Sequence, residues 1–366
     1  MHLLEIGARR SVPAAGVYLA LTRRCPLSCA HCSTDSSLSS EQHPETPFRR
    51  LVESFDPETR PDLLLMSGGE ALLRAGLVAD LARTARAVGT RSYVLSGMWF
   101  AREGRRLPSA VRAAVREVDH FAASLDEFHE REVSRAEVFR AMHLIREIVP
   151  GVSFQITGRN DDDPYLTGLI ADVRREFDDQ VPILVGTLSA IGRGRNLAGL
   201  APSAPTSGLP VAAVDPCDRV TWPLVTYDGT VYACCNQDLV ERRQPEHLIL
   251  GHAGRQSWPE LRELFLEREM FRALRALGPS YVAGRFSEGA CDKGMCGNCV
   301  GLAGDRKAAV RLEAYLRTDS GRLLERTARE VVERQDATAF STRRSRHGDL
   351  VALGSEEGHG TPAHTR

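Results

Sequence analysis

The stretch Cys25-Pro-Leu-Ser-Cys29-Ala-His31-Cys32 follows an apolar, strand-like run at residues 17–22. It places three thiols at spacings of four and three residues on one short loop. Three soft ligands of this kind suit a cube of four irons and four sulfurs, which then keeps one iron without a protein ligand. A zinc site would need a fourth ligand, and His31 is wedged between two of the cysteines. The stretch therefore predicts an iron-sulfur cluster with one open iron.

A second motif, Ser67-Gly68-Gly69-Glu70, comes directly after an apolar run at residues 62–66. On its own it indicates only a turn between a strand and a helix. Together with the cysteine spacing, and with His31 at the aromatic position before the last cysteine, it resembles the signature of the radical S-adenosylmethionine (SAM) superfamily. The resemblance implies a 4Fe-4S cluster bound by the three cysteines and by SAM. It also implies that the two glycines let the backbone approach the methionyl amino group of SAM, from which Glu70 accepts a hydrogen bond.

Between residue 17 and about residue 190, short apolar or β-branched runs alternate with longer helical segments, a pattern typical of β/α units around a parallel sheet. The predicted strands are residues 17–21, 63–66, 92–95, 120–124, 153–157 and 183–188. The predicted helices are residues 77–88, 109–117, 134–148 and 164–177. Six strands match the family's fold, so we expect an α/β protein with a partial (β/α)6 TIM-like barrel and a site at the carboxyl ends of its strands.

Polar residues at the ends of later strands extend the predicted site. Ser124 and Asp126 follow the fourth strand, where the family places polar groups against the SAM ribose and carboxylate, although a plain turn explains them equally well. Arg193 follows the sixth strand in a Gly-Arg element that resembles one in related enzymes, and either pairs with the SAM carboxylate or belongs to a solvated loop. His129 is a surface histidine or a base near the substrate. The predicted SAM-binding residues are His31, Ser67, Gly68, Gly69, Glu70, Ser124, Asp126 and Arg193.

Six further cysteines lie beyond a Pro-, Ser- and Ala-rich linker at residues 201–213, and they are Cys217, Cys234, Cys235, Cys291, Cys296 and Cys299. The spacing of these cysteines resembles that of the auxiliary-cluster domains called SPASM and twitch. Eleven residues separate Cys217 from Gly229, four residues separate Gly229 from Cys234, and the stretch Cys-Gly-Asn-Cys follows later. Gly229 fits the turn of a hairpin between residues 224–227 and 230–233. Two fully ligated cubes would need eight cysteines, so we expect one auxiliary 4Fe-4S cluster with no open iron. Its predicted ligands are Cys217, Cys234, Cys296 and Cys299, and a structural zinc on the same four residues is the alternative.

Cys235 and Cys291 remain after this assignment. Each is a candidate catalytic residue that returns a hydrogen atom to a substrate radical. Each is otherwise a small buried hydrophobic residue or an alternative cluster ligand.

Composition sets the remaining expectations. The 47 basic and 48 acidic side chains give a net charge of −1, so nothing points to nucleic acid as a partner. The apolar runs are too short for a membrane-spanning helix and no signal peptide is apparent, which predicts a cytoplasmic protein whose thiols bind metal rather than form disulfides. The expected organisation is an N-terminal extension (1–16), the radical SAM barrel (17–200), the SPASM/twitch-like domain (201–305), an amphipathic helical segment (306–335) and a disordered tail (336–366).

The resemblance implies a radical SAM oxidoreductase or maturase that receives electrons from a donor such as flavodoxin or ferredoxin. Relatives with an auxiliary domain mostly modify ribosomally made peptides, so we expect crosslinking or dehydrogenation of such a peptide in natural-product biosynthesis. Only 24 residues precede Cys25, so either a separate protein binds the peptide leader or the substrate is a small molecule. The alternatives are a dehydrogenase or epimerase of small, aminosugar-like molecules and, in another class, a non-catalytic iron-sulfur or zinc scaffold.

Overall fold

The structure is a computed structural model that describes residues 1–104, 106–197, 214–289, 293–334, 341 and 345–355. Within these residues, nine strands form one sheet in the order β6-β5-β4-β3-β2-β1-β7-β8-β9. The strands are β1 Gly16–Ala20, β2 Leu63–Ser67, β3 Arg91–Ser96, β4 His120–Leu125, β5 Gly151–Gly158, β6 Ile183–Thr187, β7 Leu224–Val225, β8 Thr230–Tyr232 and β9 Ile249–His252. Strands β1 to β7 are parallel, and β8 and β9 extend the sheet by antiparallel pairing.

The helices surround this sheet and continue beyond it. They are α1 Leu3–Arg9, α2 Thr46–Glu53, α3 Ala75–Ala87, α4 Ser109–Glu117, α5 Glu127–Glu130, α6 Arg135–Arg146, α7 Pro164–Glu176, α8 Trp258–Glu267, α9 Glu269–Ala276, α10 Pro279–Phe286, α11 Gly294–Gly301, α12 Arg306–Leu316 and α13 Asp319–Glu333. The protein is therefore a mixed α/β protein with a mostly parallel sheet.

The six strands predicted from the apolar runs are β1 to β6, each within two residues of its expected bounds. The four predicted helices are α3, α4, α6 and α7. These helices cover one face of the sheet, where side chains such as Val94, Phe121 and Phe154 are completely buried. Leu63, Leu65 and Ala122 are buried in a second cluster on the opposite face, and burial on both faces explains why the strands contain near-continuous apolar runs rather than strict alternation.

The opposite face of the sheet is partly covered by the two ends of the described chain. Helix α1 begins with a capping box between His2 and Glu5, and its residues Leu3 and Ile6 pack in a small apolar cluster with Tyr93 of β3. The predicted extension at residues 1–16 therefore contains a helix that belongs to the core.

Residues 345–355 lie inside the segment predicted to be disordered, and here the structure differs from the prediction. A short 3-10 helix at Gly348–Ala352 buries Leu350 and Val351, and it contacts α1 and β6. The apolar side chains of this helix pack against α1 and β6, and the composition of the segment alone does not predict that contact. Residues 356–366 lie outside the described residues.

The sheet continues across the predicted boundary between the two domains. Strand β7 pairs with β1, so that Tyr18 lies opposite Leu224, and β7 then forms the predicted hairpin with β8. Gly229 has a φ of +92° in the turn, a conformation that favours glycine. The predicted linker at residues 201–213 lies outside the described residues.

The C-terminal part of the chain is helical. Helices α12 and α13 match the amphipathic segment predicted at residues 306–335, and they pack on α9 and α10. Among the helices of the described residues, none has the length and apolar character needed to cross a lipid bilayer.

Candidate functional site

The two sequence motifs meet at the carboxyl ends of neighbouring strands. The cysteine loop follows β1, and the Gly68-Gly69-Glu70 turn follows β2. The backbone N–H of Gly69 donates to Thr22 O at 2.6 Å, and that of Glu70 donates to Arg24 O at 2.8 Å. A Cβ atom on Gly69 would lie 2.4 Å from Arg24 O, so this close contact requires glycine. The second motif therefore supports the entry to the cysteine loop directly.

Each cysteine of the loop has a different hydrogen-bonding partner. The backbone N–H of Leu27 donates to Cys25 Sγ at 3.5 Å, and the N–H of Ser36 donates to Cys32 Sγ at 3.5 Å. The third thiol, that of Cys29, interacts with the imidazole of His129. Three sulfurs held by three separate donors are a suitable environment for three thiolates.

Burial raises the pKa of the Cys25 thiol to about 12, and the negative charges of Glu70, Cys29 and Cys32 add to this effect. Burial also acts to raise the pKa of Cys32, but hydrogen bonds from Thr34 and Ser36 lower it below its usual value. Three thiolates side by side repel one another unless a cation joins them. The donor set therefore fits a metal centre, because bound metal stabilises the deprotonated form.

Glu70 is buried and lies at the centre of a hydrogen-bond group. Its carboxylate accepts from the N–H of Leu72 at 3.0 Å, from Ser96 Oγ at 3.0 Å and from the N–H of Gly97 at 2.9 Å. Burial nevertheless raises the pKa of Glu70 to about 7. The carboxyl group can therefore change protonation state near neutral pH, and a cation beside it would favour its ionised form.

Asp126 joins two histidines next to the cysteine loop. Its Oδ1 accepts the N–H groups of Phe128 and His129 at the start of α5. Its Oδ2 lies 2.8 Å from His129 Nδ1 and 3.2 Å from His31 Nε2. Burial alone would raise the pKa of Asp126 and lower that of His129, but their mutual attraction reverses both shifts, so the two form an ion pair.

His31, Asp126 and His129 are the one group of three metal-ligating side chains, within the described residues, whose ligand atoms lie within 4.8 Å of one another. Because Asp126 Oδ2 already bonds both imidazoles, this group is first of all a hydrogen-bond network. His31 Nδ1 is buried and has no hydrogen-bond partner among the described residues. That nitrogen is available to a ligand at the cysteine loop.

Arg193 holds the same loop from the end of β6. Its Nε donates to Cys29 O at 3.1 Å, and its Nη1 donates to Ser36 O at 2.7 Å. Gly192, with a φ of +54°, lies so close that a Cβ atom would be 2.1 Å from Cys32 O. The guanidinium is thus engaged with the loop backbone, and its pairing with a SAM carboxylate stays a prediction.

A second cysteine site forms from three separate segments. It brings together the predicted auxiliary ligands Cys217, Cys234, Cys296 and Cys299, of which all except Cys296 are buried. Burial is the main cause that raises the pKa of Cys217 to about 12 and the pKa values of Cys234 and Cys299 well above the usual value, and charges on neighbouring thiols add to it.

Polar groups surround this second site as well. Asn236 donates from its backbone to Cys234 Sγ and from its side chain to Cys296 Sγ, both at 3.3 Å. His247 Nε2 lies 3.5 Å from Cys299 Sγ, and the half-buried guanidinium of Arg219 interacts with the thiols of Cys234 and Cys296. The sequence did not predict these three polar residues, Asn236, His247 and Arg219, as part of the site. Only Asn236 has a local signal, because it directly follows the pair Cys234-Cys235.

A cavity of about 430 Å³, which we call the sheet cavity, lies against the sheet face that carries Tyr18 and Tyr93. Ser67 and Gly68 of the second motif form part of its wall, and so does Thr157 of β5. The thiol of Cys235 also lines it, 3.6 Å from Arg10 Nη2. One of the two candidate hydrogen donors therefore faces this cavity.

Two other predicted residues are placed less informatively. Ser124 is half-buried in β4, opposite Gln155 of β5. Cys291 lies outside the described residues.

No known protein-family model and no curated protein matches the chain.

Proposed function

We propose that the protein is a radical SAM enzyme. One observation carries this proposal: the Gly68-Gly69-Glu70 turn contacts the entry to the cysteine loop. The backbone N–H groups of Gly69 and Glu70 make this contact by hydrogen bonds to Thr22 O and Arg24 O. Two motifs that are separate in the sequence thus share one site at the ends of neighbouring parallel strands, where α/β proteins bind ligands. The unpartnered His31 Nδ1 is a further polar contact for a bound cofactor.

The finer fold belongs to the same proposal. Strands β1 to β6 are parallel and lie in sequential order, with helices on one face and the sheet cavity on the other. This arrangement supports a sheet that curves as a partial (β/α)6 barrel around the cavity, with a SPASM/twitch-like region beyond β7.

In this proposal Cys25, Cys29 and Cys32 would hold a 4Fe-4S cluster with one iron left open to SAM. When bound, these groups supply a 5′-deoxyadenosyl radical that removes a hydrogen atom from an unactivated carbon. The protein itself would position these groups and shield them. Ser67 and Gly68 line the sheet cavity, and Glu70 would offer its carboxylate to the SAM ammonium. Asp126 fixes the ring of His31. Arg193 keeps the loop closed by its bonds to Cys29 O and Ser36 O.

The second cysteine site supports oxidation as the reaction outcome. Cys217, Cys234, Cys296 and Cys299 offer a complete set of four thiolates for an auxiliary 4Fe-4S cluster, which can accept an electron from a substrate radical. Cys234 is the direct neighbour of Cys235, which lines the sheet cavity, so the electron acceptor and the reaction space adjoin. We propose crosslinking or dehydrogenation of a ribosomally made peptide, with a small aminosugar-like molecule as the alternative substrate.

A specific observation favours a second outcome, epimerisation. The Cys235 thiol lines the sheet cavity and can return a hydrogen atom to the substrate radical, which leaves a sulfur radical that needs one electron and one proton to be restored. In deuterated water, epimerisation would leave one deuterium on the product carbon, and Cys235→Ala would stop turnover. Oxidation would give a product two mass units lighter without deuterium, and Cys235→Ala would retain turnover.

The first experiment is anaerobic reconstitution with iron and sulfide, followed by SAM and dithionite and quantification of 5′-deoxyadenosine by mass spectrometry. We expect 5′-deoxyadenosine from the intact protein and none from a Cys25→Ala/Cys29→Ala/Cys32→Ala control. A protein that instead binds zinc and forms no 5′-deoxyadenosine would be a scaffold, and the enzyme proposal would be lost.

A further inference from the structure

The sheet cavity carries positive charge at one of its ends. Arg10 and Arg219 are the two charged residues of its described lining, which contains no aspartate or glutamate. Both guanidinium groups lie beside the Cys235 thiol, because Arg10 Nη2 donates to Cys235 Sγ at 3.6 Å and the charge of Arg219 acts on the same sulfur. The cavity is therefore positive where Cys235 lines it, although the whole chain has balanced charge.

Arg10 is held firmly at the end of α1. It is the C-cap residue of this helix and is 5% exposed. Its guanidinium carbon lies 4.7 Å from the ring centroid of Trp222 and 5.6 Å from that of Tyr18, and its Nη2 donates to Asp218 O at 3.0 Å. Trp222 is fixed in turn, because its Nε1 donates to Val12 O at 3.1 Å. A guanidinium held in this way is preorganised, so little side-chain entropy is lost when a ligand binds.

An acidic side chain near the two arginines lies outside the sheet cavity. The carboxylate of Asp218 attracts both guanidinium groups. Asp218 is exposed, however, and lines a separate cavity of about 650 Å³ that shares Arg10 with the sheet cavity. The described wall of the sheet cavity thus presents two cations and no anion to a ligand inside it.

Most of the remaining wall is apolar. It contains the rings of Tyr18, Tyr93 and Trp222 together with aliphatic side chains, and Gln155 and Thr157 of β5 are among its neutral polar groups. An apolar wall with a few polar groups that fix the orientation of the ligand is typical of small-molecule sites, and the volume of about 430 Å³ lies in their usual range. The lining therefore fits a ligand with an apolar body and one anionic end.

We propose that the substrate carries a carboxylate, which Arg10 and Arg219 bind in the sheet cavity beside the Cys235 thiol. This inference rests on the proposed function, because it names the substrate class of the same site. A carboxylate matches the planar fork of a guanidinium group and accepts two parallel hydrogen bonds from it. An aminosugar would instead place an ammonium group against two guanidinium groups. The inference thus favours a peptide, anchored by its C-terminal carboxylate or by an acidic side chain.

The test is isothermal titration calorimetry of the reconstituted full-length protein with matched probes. N-acetyl-L-phenylalanine has an apolar body and a terminal carboxylate, its amide has a neutral group in that place, and L-phenylalaninamide has an ammonium group. We expect the acid to bind about tenfold or more tightly than its amide, because charge-assisted hydrogen bonds are the stronger ones, and we expect no binding of the ammonium compound.

A further probe separates the two sources of a peptide carboxylate. N-acetyl-L-glutamic acid 1-amide carries its carboxylate on the side chain and has a neutral terminus. Tighter binding of either acid than of N-acetyl-L-phenylalaninamide supports the proposal, and the acid that binds more tightly identifies the anchor as terminal or side-chain.

Substitutions locate the binding in the sheet cavity. Arg219→Gln should weaken the binding of N-acetyl-L-phenylalanine about tenfold, and Arg219→Lys, which keeps the charge without the fork, about threefold. The matched control is Arg60→Gln, which changes a half-buried arginine that lines neither cavity and should bind the probe like the parent protein. The lysine variant keeps the test valid if Arg219→Gln does not fold.

SAM also carries a carboxylate, so the titration is repeated with saturating SAM. We expect unchanged affinity for N-acetyl-L-phenylalanine, because the proposed place of SAM is the cysteine loop. Loss of probe binding in the presence of SAM would overturn the proposal and assign the two arginines to the SAM carboxylate.

Equal affinities of both acids and the neutral amide, or equal affinities of the parent protein and Arg219→Gln, would also overturn the proposal. Tighter binding of L-phenylalaninamide than of the acids would overturn it and favour a cationic substrate. Failure of the proposed function is a separate result. It would appear as missing 5′-deoxyadenosine with dithionite, whereas calorimetry measures carboxylate binding without any turnover.

Discussion

The two cysteine sites of this protein are built in opposite ways. Cys25, Cys29 and Cys32 come from one loop of eight residues, and polar groups of neighbouring strand ends hold that loop. The second site joins Cys217, Cys234 and the pair on α11, which lie on three segments spread along the chain. A site on one loop leaves a side free for a ligand, whereas a site made from three segments also crosslinks the fold.

The largest expected effect tests that crosslinking role. If the proposed auxiliary cluster binds there, replacing Cys217 and Cys234 by alanine should remove about half of the bound iron and lower the free energy of unfolding by on the order of 5 kcal/mol, because the metal would join distant segments. The Cys25→Ala/Cys29→Ala/Cys32→Ala variant should lose a similar share of iron with a much smaller loss of stability. Iron assays and anaerobic urea unfolding measure both, and equal stability losses would contradict the comparison.

A smaller effect is expected where the second motif supports the first site. Gly69→Ala places a Cβ atom 2.4 Å from Arg24 O, a backbone atom that cannot move aside easily. We expect a loss of about 3 kcal/mol in the free energy of unfolding, together with poor cluster loading. Gly76→Ala in α3 is the control, since a Cβ atom there meets nothing within 4 Å. Urea unfolding should show no loss for Gly76→Ala, and comparable losses would refute the steric explanation.

The polar networks of the two sites can be compared by removing one member from each. Asp126→Asn breaks the buried ion pair with His129 and weakens the bond to His31, so we expect a cost of about 2 kcal/mol. Asn236→Ala removes one bond to Cys296 Sγ and should cost about 1 kcal/mol. Thermal or urea unfolding of the reconstituted variants gives both values. A larger loss of stability for Asn236→Ala than for Asp126→Asn would mean that the first site depends less on its hydrogen-bond network than its geometry indicates.

The smallest effect concerns pH and Glu70. Burial raises the pKa of Glu70 to about 7, so the folded protein holds this proton more tightly than the unfolded chain does. The contribution of Glu70 to stability is therefore complete below the unfolded pKa of about 4.3 and is lost as the pH rises through 7.

Relative to the Glu70→Gln variant, the parent protein should lose about 1 kcal/mol in its free energy of unfolding between pH 6 and pH 8. Unfolding curves of both proteins at the two pH values measure this difference. A constant difference would show that Glu70 does not titrate in this range. Glu260→Gln, at an exposed helix start, is a control that should show no such change with pH.

The sequence predicted the parallel half of the sheet well, because each buried strand requires an apolar run and each covering helix requires an amphipathic one. It did not predict α1 as part of the core or the short helix at Gly348–Ala352, since both segments gain their apolar contacts only from the sheet face between them. The pairing of β7 with β1 was also not predictable, because β7 has two residues and its partner lies about 200 residues earlier.

The site divides in the same way. Cysteine spacing and the Gly-Gly-Glu motif are local patterns, so the sequence alone determined the thiol donors and the turn that supports them. Only the tertiary structure decided that Asp126 joins His31 and His129, that Arg193 holds the cysteine loop, and that Cys235 faces the sheet cavity. The physical reason is distance along the chain: ligands on one loop are set by local spacing, whereas hydrogen bonds between strand ends exist only once the sheet has formed.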